Sequence, residues 1–98
     1  MTTGEIQKLI AIVTATYPTF YRNFDAEMSK NLVGAWYSAL KEYEYKDACV
    51  ALQKFIKSDK TGFPPSPGQV IGKMPSKYER YMKEIMEIEE HNYRRLKG

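Results

Sequence analysis

Three capping boxes restrict where helices can begin in this chain. In such a box a Ser or Thr side chain caps the first helical turn, and a Glu or Gln three residues later bonds back to the cap. The boxes pair Thr2 with Glu5, Ser66 with Gln69, and Ser76 with Glu79. Apolar residues at helical spacing follow each box, so the sequence predicts an all-α fold with helices starting at these points.

The first predicted helix has one apolar stripe, and a proline ends it. The stripe consists of Ile6, Leu9, Ile10, Val13 and Tyr17. Pro18 stops the helix, because the residue before a proline is disfavoured in helical conformation. Residues 19–24 contain Phe20 and Phe24 without a clean period, which predicts an ordered loop held by these two rings.

Two further long helices follow. Asp25 is the predicted N-cap of the second helix, and Glu27 in its first turn suits the helix dipole. Trp36 lies among small residues and is the predicted centre of the core. The expected stripe is Met28, Leu32, Ala35, Trp36, Ala39 and Leu40. A third helix is predicted over residues 46–57, with Ala48, Ala51, Leu52, Phe55 and Ile56 facing inward.

The stretch "KTGFPPSPGQV" at residues 60–70 predicts a corner inside one domain. Gly62 suits the positive φ at a helix C-terminus, and Pro67 suits the first position of the helix that Ser66 caps. That short helix would bury Val70, Ile71 and Met74, and Pro75 would close it. Pro64 and Pro67 also have the spacing of a polyproline-groove ligand, but the short helix already uses Pro67.

The predicted architecture is a small bundle of three main helices plus a short fourth, followed by a longer C-terminal helix. Residues 1–75 would form the compact domain, and residues 76–98 an amphipathic helix that packs on it or binds a partner. The last helix has more apolar side chains than a surface helix needs. The expected partner-binding residues are Tyr78, Tyr81, Met82, Ile85, Met86, Ile88 and Tyr93.

Catalytic chemistry is not evident in the sequence. Cys49 is the one cysteine, which excludes an intramolecular disulfide and suits a buried inert thiol. His91 is the one histidine, and no nucleophile with a base, phosphate-binding glycine loop or metal-ligand cluster is recognisable. We therefore expect no enzyme activity, no cofactor and no metal. The apolar run at residues 9–15 is too short to span a bilayer and lacks a basic leader, so we expect a cytoplasmic protein without a membrane partner.

Charge is distributed unevenly and leaves one alternative open. Residues 1–50 contain five basic and six acidic side chains, whereas residues 51–98 contain ten and six. A small basic DNA-binding module would use Lys54, Lys57, Lys60, Lys73, Lys77 and Arg80. This density is far below that of a dedicated DNA-binding face, and lysines near a helix C-terminus also complement its dipole, so direct nucleic-acid contact is not the favoured interpretation. Self-association of a structural helical protein is a further alternative.

A set of aromatic and proline motifs resembles a known family. These are "YPTF" at residues 17–20, "WYSAL" at 36–40, Tyr43 and Tyr45, and "FPPS" at 63–66. In this order they resemble the N-terminal domain of the phage replicative helicase loader/inhibitor family, over roughly residues 4–74. The resemblance implies a compact helical domain. It also implies a protein that binds the hexameric replicative helicase, holds it inactive and hands it to an origin-binding initiator protein.

The resemblance also implies how such a protein works. In the family, the extension after the helical domain is implicated in gripping the helicase. We therefore expect a non-enzymatic adaptor whose helicase contacts lie on the C-terminal helix, because the upstream aromatic side chains are needed for the core.

Overall fold

The computed structural model describes residues 1–75 together with Ile85 and Met86. Within residues 1–75 it forms five helices: α1 (Thr3–Thr16), α2 (Pro18–Tyr21), α3 (Ala26–Leu40), α4 (Tyr45–Ser58) and α5 (Pro67–Gly72). Ile85 and Met86 are also helical. The predicted all-α class is confirmed. The predicted boundary between residues 1–75 and 76–98 falls where the description ends, and it stays a prediction.

Side-chain caps fix the helix starts that the sequence predicted. The Thr2 hydroxyl accepts from the Glu5 N–H at 3.1 Å, and the Glu5 carboxylate accepts from the Thr2 N–H at 2.8 Å. A second complete capping box joins Ser66 and Gln69 at the start of α5. Asp25 caps α3 by accepting from the N–H of Met28 at 2.8 Å. Each cap satisfies amide groups that the helix itself leaves without partners.

The four longer elements close a ring around the core. Helix α1 packs against α3 and α4, and α5 packs against the same two helices. The backbones of α3 and α4, which are neighbours in the sequence, do not approach each other, and neither do those of α1 and α5. The enclosed core consists of Ile6, Leu9, Ile10, Val13, Tyr17, Trp36, Leu40, Ala48, Ala51, Leu52 and Val70. The short helix α5 therefore completes an enclosure that the three long helices leave open.

Two local predictions need correction. The predicted loop at residues 19–24 is wrong in part, because Pro18–Tyr21 forms the short helix α2 with Pro18 at its first turn. Proline fits there because that position needs no N–H donor. The predicted stripe of α3 is too wide, since Met28, Ala35 and Ala39 are exposed. Helix α3 contacts only α1 and α5, so a narrow face around Trp36 and Leu40 is covered.

Helix α4 follows the prediction more closely. Ala48, Ala51 and Leu52 are buried, whereas Phe55 and Ile56 pack against the core from half-buried positions. Cys49 is half-buried as well. In α5, Val70 is fully buried, and Ile71 and Met74 cover its edge as expected. The apolar spacing thus located the inward face of both helices.

Removing the Trp36 side chain should destabilise the fold strongly. Trp36 is only 3% exposed, so Trp36→Ala leaves a cavity and should lower the free energy of unfolding by about 3–5 kcal/mol. The control is Tyr37→Ala at the neighbouring position, where the ring is 38% exposed and the change should be less than half as large. Thermal and urea unfolding measure both variants. A Trp36→Ala melting temperature within a few degrees of the parent would contradict this role.

The cap of α5 should contribute measurably to stability. Ser66→Ala removes the acceptor for the N–H of Gln69 and should cost about 1 kcal/mol in the free energy of unfolding. Ser38→Ala is the matched control, because Ser38 is exposed within α3, where Ala has the higher helix propensity. Equal stability of the two variants in urea unfolding would show that the Ser66 cap is dispensable.

Candidate functional site

The partner-binding residues predicted on the C-terminal helix lie mostly beyond the described part of the chain. Tyr78, Tyr81, Met82, Ile88 and Tyr93 are outside the described residues. Ile85 is half-buried, and the side chain of Met86 is 63% exposed. The exposed thioether of Met86 is consistent with a contact residue, and the assignment of the whole set stays a prediction.

The expectation that the upstream aromatic side chains serve the core is wrong for several of them. Phe20, Tyr37, Tyr43 and Phe63 are all exposed. Phe20 on α2 and Phe63 on the loop between α4 and α5 lie together, with ring centroids 5.3 Å apart and planes inclined by 57°. We call this pair the aromatic corner. It is a surface feature because the ring of core helices closes beneath it without covering it.

A network of short-range hydrogen bonds fixes the loop that carries Phe63. One carboxylate oxygen of Asp59 accepts from the Thr61 N–H at 2.9 Å and from the Thr61 hydroxyl at 2.7 Å. The Thr61 hydroxyl oxygen accepts in turn from the N–H of Phe63 at 3.2 Å. Gly62 has φ of 76°, a conformation that side-chain-bearing residues rarely adopt. Pro65, buried two residues beyond Phe63, anchors the other end.

Tyr17 connects this loop to the other half of the aromatic corner. Its ring belongs to the core, and its hydroxyl donates to the second carboxylate oxygen of Asp59 at 2.8 Å. Helix α2 follows Tyr17 directly, and the N–H of Phe20 donates to the Tyr17 carbonyl oxygen at 3.2 Å. The positions of Phe20 and Phe63 are thus both tied to the contact between Tyr17 and Asp59.

The ionisation of both groups is shifted in the sense that this contact requires. Burial raises the pKa of Tyr17 to about 12, and the hydrogen bond to Asp59 and its negative charge add to the effect. Hydrogen bonds from the Thr61 hydroxyl and N–H, followed by the one from Tyr17, hold the pKa of Asp59 below its usual value. A neutral phenol and an ionised carboxylate are therefore the stable pair at neutral pH.

Two cations flank the aromatic corner along the chain. Arg22 comes two residues after Phe20, and Lys60 comes three residues before Phe63; both are exposed. Neither has a carboxylate partner among the described residues, and the nearby Asp59 already accepts from Thr61 and Tyr17. The corner is therefore an apolar surface with a positively charged rim.

The other functional features predicted from sequence give no second site. Lys54, Lys57, Lys60 and Lys73 are exposed, and Lys77 and Arg80 lie outside the described residues. In residues 1–75 and 85–86, no three His, Cys, Asp or Glu side chains come together as metal ligands. The helices of that same part include none with the length and apolar character to cross a membrane.

Sequence reasoning missed the aromatic corner although a signal was present. Phe63 stands between Gly62 and Pro64, outside every apolar helical stripe. An aromatic residue there has no helix face that would turn it inward. Phe20 likewise follows Pro18 in a stretch without a period. Only the fold, however, brings these two rings together across more than forty residues of chain.

These features describe a small all-α domain with a rigid, exposed aromatic corner at the ends of α1 and α4. The profile of the N-terminal domain of a phage helicase loader/inhibitor family matches residues 1–71, which is most of the described part. The chain belongs to this family. The motifs that suggested the resemblance thus lie on the end of α1, on α3, and on the loop before α5. No curated protein and no solved structure matches the chain.

Replacing Tyr17 by Phe should show the contribution of its hydroxyl. At neutral pH, Tyr17→Phe should lower the free energy of unfolding by about 1 kcal/mol, because the hydrogen bond to Asp59 is lost while the ring stays buried. The folded-state pKa of Tyr17 is raised from 10.0 to about 12, so the parent loses stability as pH rises through this interval. The Phe variant lacks that loss, and the stability gap should therefore narrow between pH 10 and 12.

Urea unfolding followed by Trp36 fluorescence at several pH values measures this gap. Tyr37→Phe, which changes an exposed ring of the same type, should leave the free energy of unfolding unchanged. A gap between parent and Tyr17→Phe that is constant up to pH 12 would contradict the proposed ionisation behaviour.

Proposed function

We propose that this protein is a non-enzymatic adaptor in phage DNA replication. It binds the hexameric replicative helicase, restrains its activity and delivers it to an origin complex through an initiator protein. The observation that carries the proposal is the family match over residues 1–71. Its place of action would be the cytoplasm of the host bacterium.

An adaptor of this kind acts through differential affinity. A ligand shifts a conformational equilibrium only by as much as it binds one state better than the other. In this proposal the protein holds the helicase in one state, by occupying a surface that ring opening or subunit motion needs. No nucleotide chemistry of its own is required for this role.

The helicase contacts are proposed to lie in residues 76–98, and residues 1–75 form the folded body that carries them. The segment begins where the family match has already ended. It concentrates five apolar side chains within eight positions: Tyr81, Met82, Ile85, Met86 and Ile88. Protein interfaces concentrate their energy in a few such anchors, and Met adapts well to apolar grooves.

A charge at Met86 should weaken helicase binding. Met86→Asp replaces a 63% exposed thioether by a carboxylate, which an apolar contact would have to desolvate. We expect a loss of affinity for the cognate hexameric helicase of about tenfold or more, equivalent to about 1.4 kcal/mol. Fluorescence anisotropy with the labelled full chain, with and without ATP, measures it.

Met28→Asp is the matched control for this experiment. Met28 is 43% exposed in the first turn of α3, where an acidic side chain suits the helix dipole. Its helicase affinity should equal that of the parent. Equal binding by Met86→Asp and Met28→Asp would move the helicase contacts away from this position. Binding of duplex DNA with a steep salt dependence and no helicase binding would favour the DNA-binding alternative instead.

A further inference from the structure

The aromatic corner exposes an amount of apolar surface that suits a short peptide. Phe63 is 61% exposed and Phe20 is 43% exposed. With about 200 Å² for a whole Phe side chain, the two rings together leave about 200 Å² open. This is well below the roughly 800 Å² per partner in an interface between folded domains. It matches the size of one anchor point for an extended segment.

The exposure of Phe63 is built into the backbone. Hydrogen bonds from Thr61 to Asp59 and from Phe63 to Thr61 hold the loop before the ring. The proline pair that starts at Pro64 restricts φ beyond it. A mobile loop could turn such a ring towards the protein and gain hydrophobic free energy, whereas this loop holds the ring outward. Holding a contact residue in place before binding also lowers the entropic cost of binding.

The rim of the aromatic corner selects the charge of an occupant. Arg22 and Lys60 are exposed, and within the described residues no carboxylate pairs with either. The nearby acidic group, Asp59, accepts hydrogen bonds from Thr61 and Tyr17. A partner segment that places carboxylates at the rim would gain charge-assisted hydrogen bonds there. A basic segment would be repelled.

We propose that the aromatic corner docks an extended acidic segment of a partner protein. An apolar side chain of that segment rests against Phe63 and Phe20, and its flanking carboxylates pair with Arg22 and Lys60. This surface lies on the helical domain and is separate from residues 76–98, so it does not depend on how the helicase is bound.

Single-stranded nucleic acid fits the aromatic corner less well. Successive bases stack on ring faces that are open and roughly parallel. The rings of Phe20 and Phe63 are inclined by 57° at 5.3 Å, so each covers part of the other. Two cations also supply little of the phosphate neutralisation on which such binding depends.

Amide chemical shifts of the ¹⁵N-labelled full chain test the proposal. The probe is the acetylated hexapeptide Glu-Asp-Leu-Phe-Asp-Glu, and its counterpart is Lys-Arg-Leu-Phe-Arg-Lys. The acidic peptide should cause saturable shifts at residues 18–22 and 59–63, and the basic peptide should not. Phe63→Ala and Lys60→Glu should each weaken binding about fivefold or more. Val50→Ala, which trims a 41% exposed side chain on α4, should bind like the parent.

Several results would overturn the proposal. Equal shifts with the basic peptide would remove the charge argument, and no shifts with either peptide would remove the docking site. Tighter binding of a 20-nucleotide oligothymidylate at the same amides would identify a nucleic-acid surface. Shifts at residues 18–22 and 59–63 that depend on protein concentration would assign the aromatic corner to a second copy of the chain. Displacement shifts across residues 76–98 would assign it to the chain's own C-terminal segment.

Discussion

The hydrogen bond from the hydroxyl of Tyr17 to Asp59 holds together the two ends of the structure that matter most for its surface. The ring of Tyr17 is the last member of the buried stripe of α1, and Asp59 is the first residue after α4. One carboxylate oxygen takes the phenol, and the other takes both donors of Thr61. The carboxylate therefore connects the core to the loop that leads to α5. Because α2 starts at the next residue after Tyr17, the same contact also places Phe20.

The core beneath this contact depends on a helix of only six residues. The backbones of α3 and α4 do not approach each other, so α5 must fill the gap opposite α1, and it does so with the fully buried Val70. A helix this short has little stability of its own. The capping box of Ser66 and Gln69, the fixed φ of Pro67 and the buried Pro65 supply what the helix lacks. The approach to α5 must then be rigid, and that rigidity leaves Phe63 outside.

Local physical chemistry made most of the fold predictable. Capping residues such as Thr2 and Ser66, and the positive φ of Gly62, depend on neighbours in the chain and were correct. The width of the buried face of α3 was wrong, because it depends on which helices pack there and not on the sequence of α3. The aromatic corner was missed for a similar reason. The contact of Phe20 with Phe63 exists only after Tyr17 has found Asp59, which no short-range pattern encodes.

As a member of the helicase loader/inhibitor family, the protein has its rigid helical body in residues 1–75, and the proposed helicase contacts follow that body. The central claim is that this body holds Phe63 outward on a fixed loop. Amide hydrogen exchange in the full chain tests it most directly. The N–H groups of Thr61 and Phe63 are bonded to side-chain oxygens and should exchange slowly, with protection comparable to that of Gln69 at the cap of α5. Exchange of Thr61 and Phe63 at the rate of an unstructured peptide, with Gln69 still protected, would contradict a fixed loop.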